Sequence, residues 1–297
     1  MSAFIMPQTG RVVRGFRIQQ ALGSGSYGVV YRATSDNEEC AMKFSLDLKQ
    51  SQNEIHCLQE LYCSKIAPRI MFYEEIGEMT VIAMTLSGPN LAKLLGDTPN
   101  RVFDRPVLQK ICYKFISILE ALHGLNILHR DIKLNNFVVT KATTPTSEVA
   151  LQIIDFGLSW QHKDANGNER EDTVKKDFSR VSHCSGNVAI GLEHTPKDDL
   201  VQTSYAMILA SGMNGRDIFT KPKEELLAWK TSLMRKPASV LPPQLNWLVP
   251  FLDSIAEQDD EDIDYDDLRA HIRDSVYEST PEGPLHLRLK EGKYLLE

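Results

Sequence analysis

Three residues in one short stretch, His129-Arg130-Asp131-Ile132-Lys133-Leu134-Asn135-Asn136, have types and spacing that suit a single chemistry. The carboxylate of Asp131 can orient an alcohol and accept its proton. The ammonium of Lys133 can neutralise a phosphoryl group in transit, and the amide oxygen of Asn136 can ligate a divalent cation. Phosphoryl transfer is catalysed mostly by positioning and charge stabilisation of this kind. Two further residues fit the same reaction. Lys43 lies in Cys40-Ala41-Met42-Lys43-Phe44, a strand pattern in which a buried ammonium needs a partner. Asp155 follows the apolar run Leu151-Gln152-Ile153-Ile154 and precedes Phe156-Gly157, which makes it a carboxylate on a pivot, suited to a metal. Singly, each has a plainer reading: a solvated turn for the first stretch, the wet face of an edge strand for Lys43, chance for Asp-Phe-Gly. Their joint order carries the inference.

The elements that must position these groups are legible from periodicity. Phe16 to Leu22 alternates as a strand, and Gly23-Ser24-Gly25-Ser26-Tyr27-Gly28 follows it. After Gly28 come Val29-Val30-Tyr31, residues that favour a strand, so the glycines bend a hairpin. A dinucleotide-binding turn would open a helix instead, which excludes a dinucleotide-dependent oxidoreductase. The Gly-Lys-Ser/Thr ending of a Walker loop is absent as well. Glycines permit close approach of backbone amides to phosphates, or simply a tight turn. A helix is predicted over Gln50 to Tyr62, with Ile55, Leu58, Leu61 and Tyr62 on one face and Glu54 beside it. Glu54 is assigned as the partner of Lys43, and Glu60 is the other candidate. Strands are predicted at Ile70 to Tyr73 and Thr80 to Met84, leading into the connector Thr85-Leu86-Ser87-Gly88-Pro89-Asn90-Leu91. Asp104-Arg105-Pro106 starts a helix whose Leu108, Ile111, Cys112, Phe115, Ile118, Leu119 and Leu122 recur at helical spacing. Phe137 to Val139 reads as a strand, Thr140 to Val149 as an exposed hairpin tip, and Thr280 to Glu297 as a tail.

The length of 297 residues suits two lobes, and an apolar content of 42% suits a real core. The net charge of −7 is set by seven acids between Asp259 and Asp267, expected as a solvated loop; without them the body is neutral. No basic field draws nucleic acid or an anionic membrane, and neither is expected as a partner. Cys40, Cys57, Cys63, Cys112 and Cys184 follow no metal-ligand spacing and suit a reducing compartment. No secretory leader and no apolar run of membrane-spanning length is visible. A monomer in the cytoplasm or nucleus is expected.

In their order along the chain these motifs resemble those of eukaryotic protein kinases. Ser87-Gly88-Pro89-Asn90-Leu91, Ser185-Gly186-Asn187 and Lys197-Asp198-Asp199-Leu200 are similar to the casein kinase 1 family, in which S-I-N stands in place of A-P-E. The resemblance spans about Phe16 to Val276 and is looser after Pro242. It implies an α+β, two-lobed protein kinase fold. A small N-terminal antiparallel sheet with one helix would occupy 16–87 and a larger helical lobe 88–276, flanked by an N-terminal extension (1–15) and a C-terminal tail (277–297). It further implies transfer of the γ-phosphoryl of ATP, with Mg²⁺, to Ser or Thr of protein substrates.

The resemblance also distributes roles. Leu22, Gly23, Ser24, Gly25, Gly28 and Val30 would cover the nucleotide. Lys43 would hold the α/β-phosphates, Ala41 roof the adenine, Met84 stand behind it, and backbone near Thr85 and Leu86 bond its edge. Asp131 would be the base, Lys133 the γ-phosphate's counter-charge, Asn136 and Asp155 the Mg²⁺ ligands, and Asp199 a brace for the catalytic loop. Arg130 and His129 would be scaffold. The family implies activity without activation-loop phosphorylation, although Arg130 leaves a phosphate-gated state open. The chain departs from the family at Ser179-Arg180-Val181-Ser182-His183, where a family arginine aligns with Ser182. A preference for acidic substrates is therefore implied only in outline, with Lys175, Lys176 and Arg180 as stand-ins. The alternative is a pseudokinase acting as a nucleotide-binding scaffold, although no core motif residue is missing.

Overall fold

The computed structural model describes residues 9–25, 28–172, 174, 177–260, 262–275 and 280–297. Ser26, Tyr27, Lys175, Lys176 and the expected domain boundary at 276–277 lie outside them, as does the side chain of Arg180. Strands β1 (Val12–Val13), β2 (Phe16–Gly25), β3 (Gly28–Thr34) and β4 (Glu39–Ser45) precede helix α1 (Leu48–Glu60), and β5 (Ile70–Ile76) and β6 (Met79–Thr85) follow it. The strands form one sheet in the order β1-β2-β3-β4-β6-β5, every neighbouring pair antiparallel.

Alternation along β4 sets up the site. Cys40, Met42 and Phe44 point into a core shared with Ile18, Ala33 and Val81, while Ala41 and Lys43 point to the opposite face, toward α1. Asp47 caps α1 by accepting from Gln50 N, which starts the helix two residues before the predicted position. Gly28 has φ +130°, and a Cβ there would lie 2.1 Å from the Phe44 carbonyl oxygen. Only glycine lets β3 leave the hairpin in contact with β4.

The second lobe opens with α2 (Leu91–Asp97) and α3 (Arg105–His123), whose predicted apolar stripe is buried. Four short strands, β7 (Ile127–Leu128), β8 (Phe137–Val139), β9 (Thr146–Val149) and β10 (Leu151–Ile153), and then β11 (Trp160–Gln161) follow. Pairing of β8 with β10 and of β7 with β11 frames the Asp131 loop and the Asp155 segment. Next come α4 (Gly186–Ala189), α5 (Pro196–Ala210), α6 (Gly215–Phe219), α7 (Lys223–Arg235), α8 (Pro237–Val240), α9 (Val249–Glu257) and α10 (Tyr265–Asp274). Helix α5 is buried almost all round, as the central helix of a lobe must be. Among the described residues no helix is long and apolar enough to cross a membrane.

Four expectations change. The C-terminal stretch is no tail: β12 (Leu285–Lys290) and β13 (Lys293–Leu296) form a hairpin that pairs with β9 in a three-stranded sheet. Leu285, Leu287 and Leu296 are buried there, so Thr146–Val149 is a partner strand where a free hairpin tip was expected over 140–149. The acidic run is only partly loop. Asp264 caps α10 by accepting from Asp267 N, and Asp266 and Asp267 fill its first turn, where the helix dipole favours negative charge. Finally, β1 places part of the expected N-terminal extension on the sheet edge, with Val13 buried against Phe16.

Candidate active site

The cleft is built first from β4 and α1. Lys43 Nζ lies 2.5 Å from Glu54 Oε2 and 2.8 Å from Asp155 Oδ1. Glu54 is buried and Glu60 is exposed, which decides between the two candidate partners. Burial alone would push the Lys43 ammonium down, but the two carboxylates outweigh it and hold it above the ordinary lysine range. Beside Glu54, Asn53 donates from Nδ2 to the carbonyls of Phe156 (2.9 Å) and Ser159 (2.6 Å). Helix α1 is thus tied to the Asp155 segment through two consecutive residues. Asp155 itself adopts left-handed backbone, φ 71° and ψ 65°, a conformation rare outside glycine.

The loop between β7 and β8 supplies the second group. Asp131 Oδ2 accepts from Lys133 Nζ at 2.7 Å and from Asn136 Nδ2 at 3.0 Å. Asn136 Nδ2 also reaches the Asp131 carbonyl at 2.8 Å, so the amide oxygen is the atom left for a cation. Asp131 Oδ1 accepts from His183 Nε2 at 2.7 Å. Burial pushes the Asp131 carboxyl up, yet the hydrogen bond from His183 and the Lys133 charge outweigh it and hold it below the usual carboxylate range.

Helix α5 holds this loop by its backbone. Asp199 accepts from His129 N (2.7 Å) and Arg130 N (2.9 Å), and Gln202 Oε1, one turn on, accepts from Ile132 N (2.8 Å). Asp199 is fully buried, and His123 and His194 also bond it. Burial opposes its charge, but these donors hold its carboxyl well below the ordinary value. Arg130 directs its guanidinium to the Leu158 carbonyl (2.6 Å) and, with two nitrogens, to Asp172 at 2.5 and 3.1 Å. Its Cζ lies 4.7 Å from the centre of the Phe178 ring. A carboxylate of the chain itself therefore satisfies the arginine that could have gripped a phosphate.

On the nucleotide side, Ala41 and Met84 are register partners on β4 and β6, and Val30 packs with them in one apolar cluster. Leu22 stands at the start of the hairpin bend, 46% exposed. Gly23 and Gly25 have open space where a side chain would sit, which leaves room for phosphates. Thr85 N donates to the Arg69 carbonyl at 2.9 Å, so this N–H is not available to an adenine edge. Among the described residues there is no cluster of three or more His, Cys, Asp or Glu able to hold a metal. A cation would instead rely on Asp155, the Asn136 oxygen and ligand oxygens, the pattern by which Mg²⁺ binds alongside phosphates.

The structure thus brings Lys43, Glu54 and Asp155 together, and Asp131, Lys133 and Asn136 together. It adds Asn53, Asp172, Gln202 and His183, which the sequence reading did not single out. Each of these acts on a residue between 42 and 106 positions away, so no local spacing marks it.

Comparison with known proteins agrees with this architecture. The protein kinase domain family matches residues 16–251. The solved structure of vaccinia related kinase 3 is similar over 95% of this chain and 95% of that chain, with a TM-score of 0.76 at 15% sequence identity, a likeness of fold. A family match across most of the chain, on two lobes that meet at these charged groups, makes this chain a member of the protein kinase family.

Proposed function

We propose that the protein is a serine/threonine kinase of the casein kinase 1 type, transferring the γ-phosphoryl of ATP to Ser or Thr hydroxyls of protein substrates. The observation that carries this reading is the set of hydrogen bonds around Asp131, with Lys133 and Asn136 on one oxygen and His183 on the other. ATP would supply the phosphoryl group, and Mg²⁺ would neutralise the charge that develops on it. Lys43, oriented by Glu54, receives phosphate oxygens. Asp155 and the Asn136 oxygen would hold the cation, and the backbone at Gly23 to Gly25 would lie over the phosphates. Asp131 orients the acceptor hydroxyl and takes its proton. Lys133, whose side chain is 35% exposed, offers its ammonium to the group in transfer.

Lys133 two residues after Asp131 supports hydroxyls of Ser and Thr, because serine/threonine-directed kinases share that pattern. Ser87 to Leu91 and Ser185 to Asn187 support the casein kinase 1 type. The Arg130–Asp172 pair supports activity without a phosphorylated activation segment. Acidic-substrate preference comes from the family resemblance in outline, with Lys175, Lys176 and Arg180 standing in for a family arginine that this chain replaces with Ser182.

The test is Mg²⁺-dependent transfer of labelled γ-phosphate to casein and to a basic control protein, wild type against Asp131→Ala. Transfer that requires Asp131 and lands on Ser or Thr is expected, with casein favoured. Labelling of the basic protein alone would discard the acidic preference. If ATP raises Tm and neither protein is labelled, the scaffold reading replaces this one.

A further inference from the structure

His183 belongs to none of the motifs that mark the cleft in the sequence. It lies in the turn leading into α4, 52 positions beyond Asp131, and its Nε2 stands 2.7 Å from Asp131 Oδ1. Anchors on both sides fix its place. Cys184, the next residue, is buried against Lys230 of α7, with Nζ and Sγ 3.6 Å apart. Ser185 then caps α4 and donates to Asp198 of α5. The His183 backbone is therefore set by the lobe's helices, and its ring reaches back from that frame to the catalytic loop.

The chemistry of the contact is one-sided. An ionised carboxylate only accepts, so the proton of this hydrogen bond sits on His183 Nε2. Two carboxylate oxygens offer about four lone-pair directions in all. Lys133 and Asn136 take both on Oδ2, and His183 takes one on Oδ1. One direction on Oδ1 remains for an acceptor hydroxyl.

We propose that His183 is a positioning residue for phosphoryl transfer, which pins Oδ1 of Asp131 so that its remaining lone pair faces the incoming hydroxyl. The proposal rests on the kinase reading above. His183 takes no proton in this role, because Nε2 already carries one and donates whether the ring is neutral or cationic. The contact also makes the readiness of the base depend on the folding of the segment before α4. A buried carboxylate that loses one of three side-chain donors is under-satisfied and free to turn toward Lys133, away from the acceptor.

The experiment compares wild type, His183→Ala and His183→Gln in ATP- and Mg²⁺-dependent phosphorylation of casein, with Tm measured for each. His183→Ala should lower kcat about ten- to a hundred-fold, the value of one hydrogen bond to a charged group, and leave KM for ATP unchanged. His183→Gln keeps an N–H donor of similar reach and should recover a large part of the loss. An unchanged or raised kcat in His183→Ala overturns the proposal. So does His183→Gln performing no better than His183→Ala at equal Tm, because then the ring fills space and does not hold the base. The ¹⁵N spectrum of the imidazole gives a readout independent of turnover: Nε2 should be the protonated nitrogen, and its resonance should move in Asp131→Asn. An Nε2 resonance indifferent to Asp131→Asn also overturns the proposal. Wild type that binds ATP and labels nothing removes the kinase reading and this role with it. Wild type that labels casein alongside an equally active His183→Ala removes only the role of His183.

Discussion

His129 shows how one residue in the Asp131 loop couples folding to pH. Its ring is fully buried, its Nε2 donates to the Ile154 carbonyl at 3.1 Å, and it meets the Phe156 ring edge-on. Burial depresses its pKa below the ordinary 6.5, although Asp199, Asp131 and Asp155 pull it back up. A depressed histidine stays neutral in the folded protein while the unfolded chain takes up a proton as pH falls through about 6.5. Its contribution to stability is therefore complete above that pH and is lost as pH falls toward its folded value. Asp131 carries the same sign, but its window opens only below its ordinary value of 3.8, so the two separate. Unfolding free energy measured from pH 7 to pH 5 should fall in wild type and fall less steeply in His129→Gln. Parallel slopes for the two proteins would mean that His129 is not the group responsible.

Among the elements, the C-terminal hairpin departs furthest from what was expected of it. Leu285 and Leu287 alternate inward on β12, and register pairs Leu287 with Leu296 on one side and with Ser147 on the other. The hairpin thus covers an edge of β9 that would otherwise present unpaired backbone. Leu287 is 1% exposed. Leu287→Ala should cost about 2–5 kcal/mol, the usual range for a buried leucine, read as a lower denaturant midpoint at unchanged slope. A loss under about 0.5 kcal/mol, typical of surface positions, would show that the hairpin is not part of the cooperative unit. A tail was expected over this stretch. The alternation of Leu285, Leu287 and Leu289 is itself a strand signal; what the sequence does not carry is its partner, which lies about 140 positions earlier in the chain.

At the scale of the whole molecule, the Lys43–Glu54–Asp155 cluster joins the two lobes. Lys43 belongs to the sheet, Glu54 to α1, and Asp155 to the segment after β10 of the second lobe. A nucleotide bound there should stabilise the fold by mass action, by about 2.7 kcal/mol at a hundred times Kd, and so raise Tm. Lys43→Met should shrink that shift sharply. It will also lower the Tm of the free protein, because removing one partner leaves the Glu54 carboxylate buried and unpaired. The informative quantity is therefore the difference with and without ATP and Mg²⁺. An equal nucleotide shift in wild type and Lys43→Met would place the phosphates away from Lys43.

The sequence by itself determined whatever depends on neighbours along the chain. Asp131, Lys133 and Asn136 share one short loop, so their spacing is already their geometry. The residues after Gly28 choose strand over helix, and the stripe from Leu108 to Leu122 buries one face of α3. Helical phase already favoured Glu54 over Glu60, which lies six residues on and faces elsewhere, and the tertiary structure brings Glu54 within 2.5 Å of Lys43. Only the tertiary structure decided that Asp172 satisfies Arg130, that Gln202 joins Asp199 in holding the loop backbone, and that His183 reaches Asp131. These contacts join residues tens of positions apart. Local periodicity reports which face of an element is buried; the distance between two faces is set when the elements close on a common core.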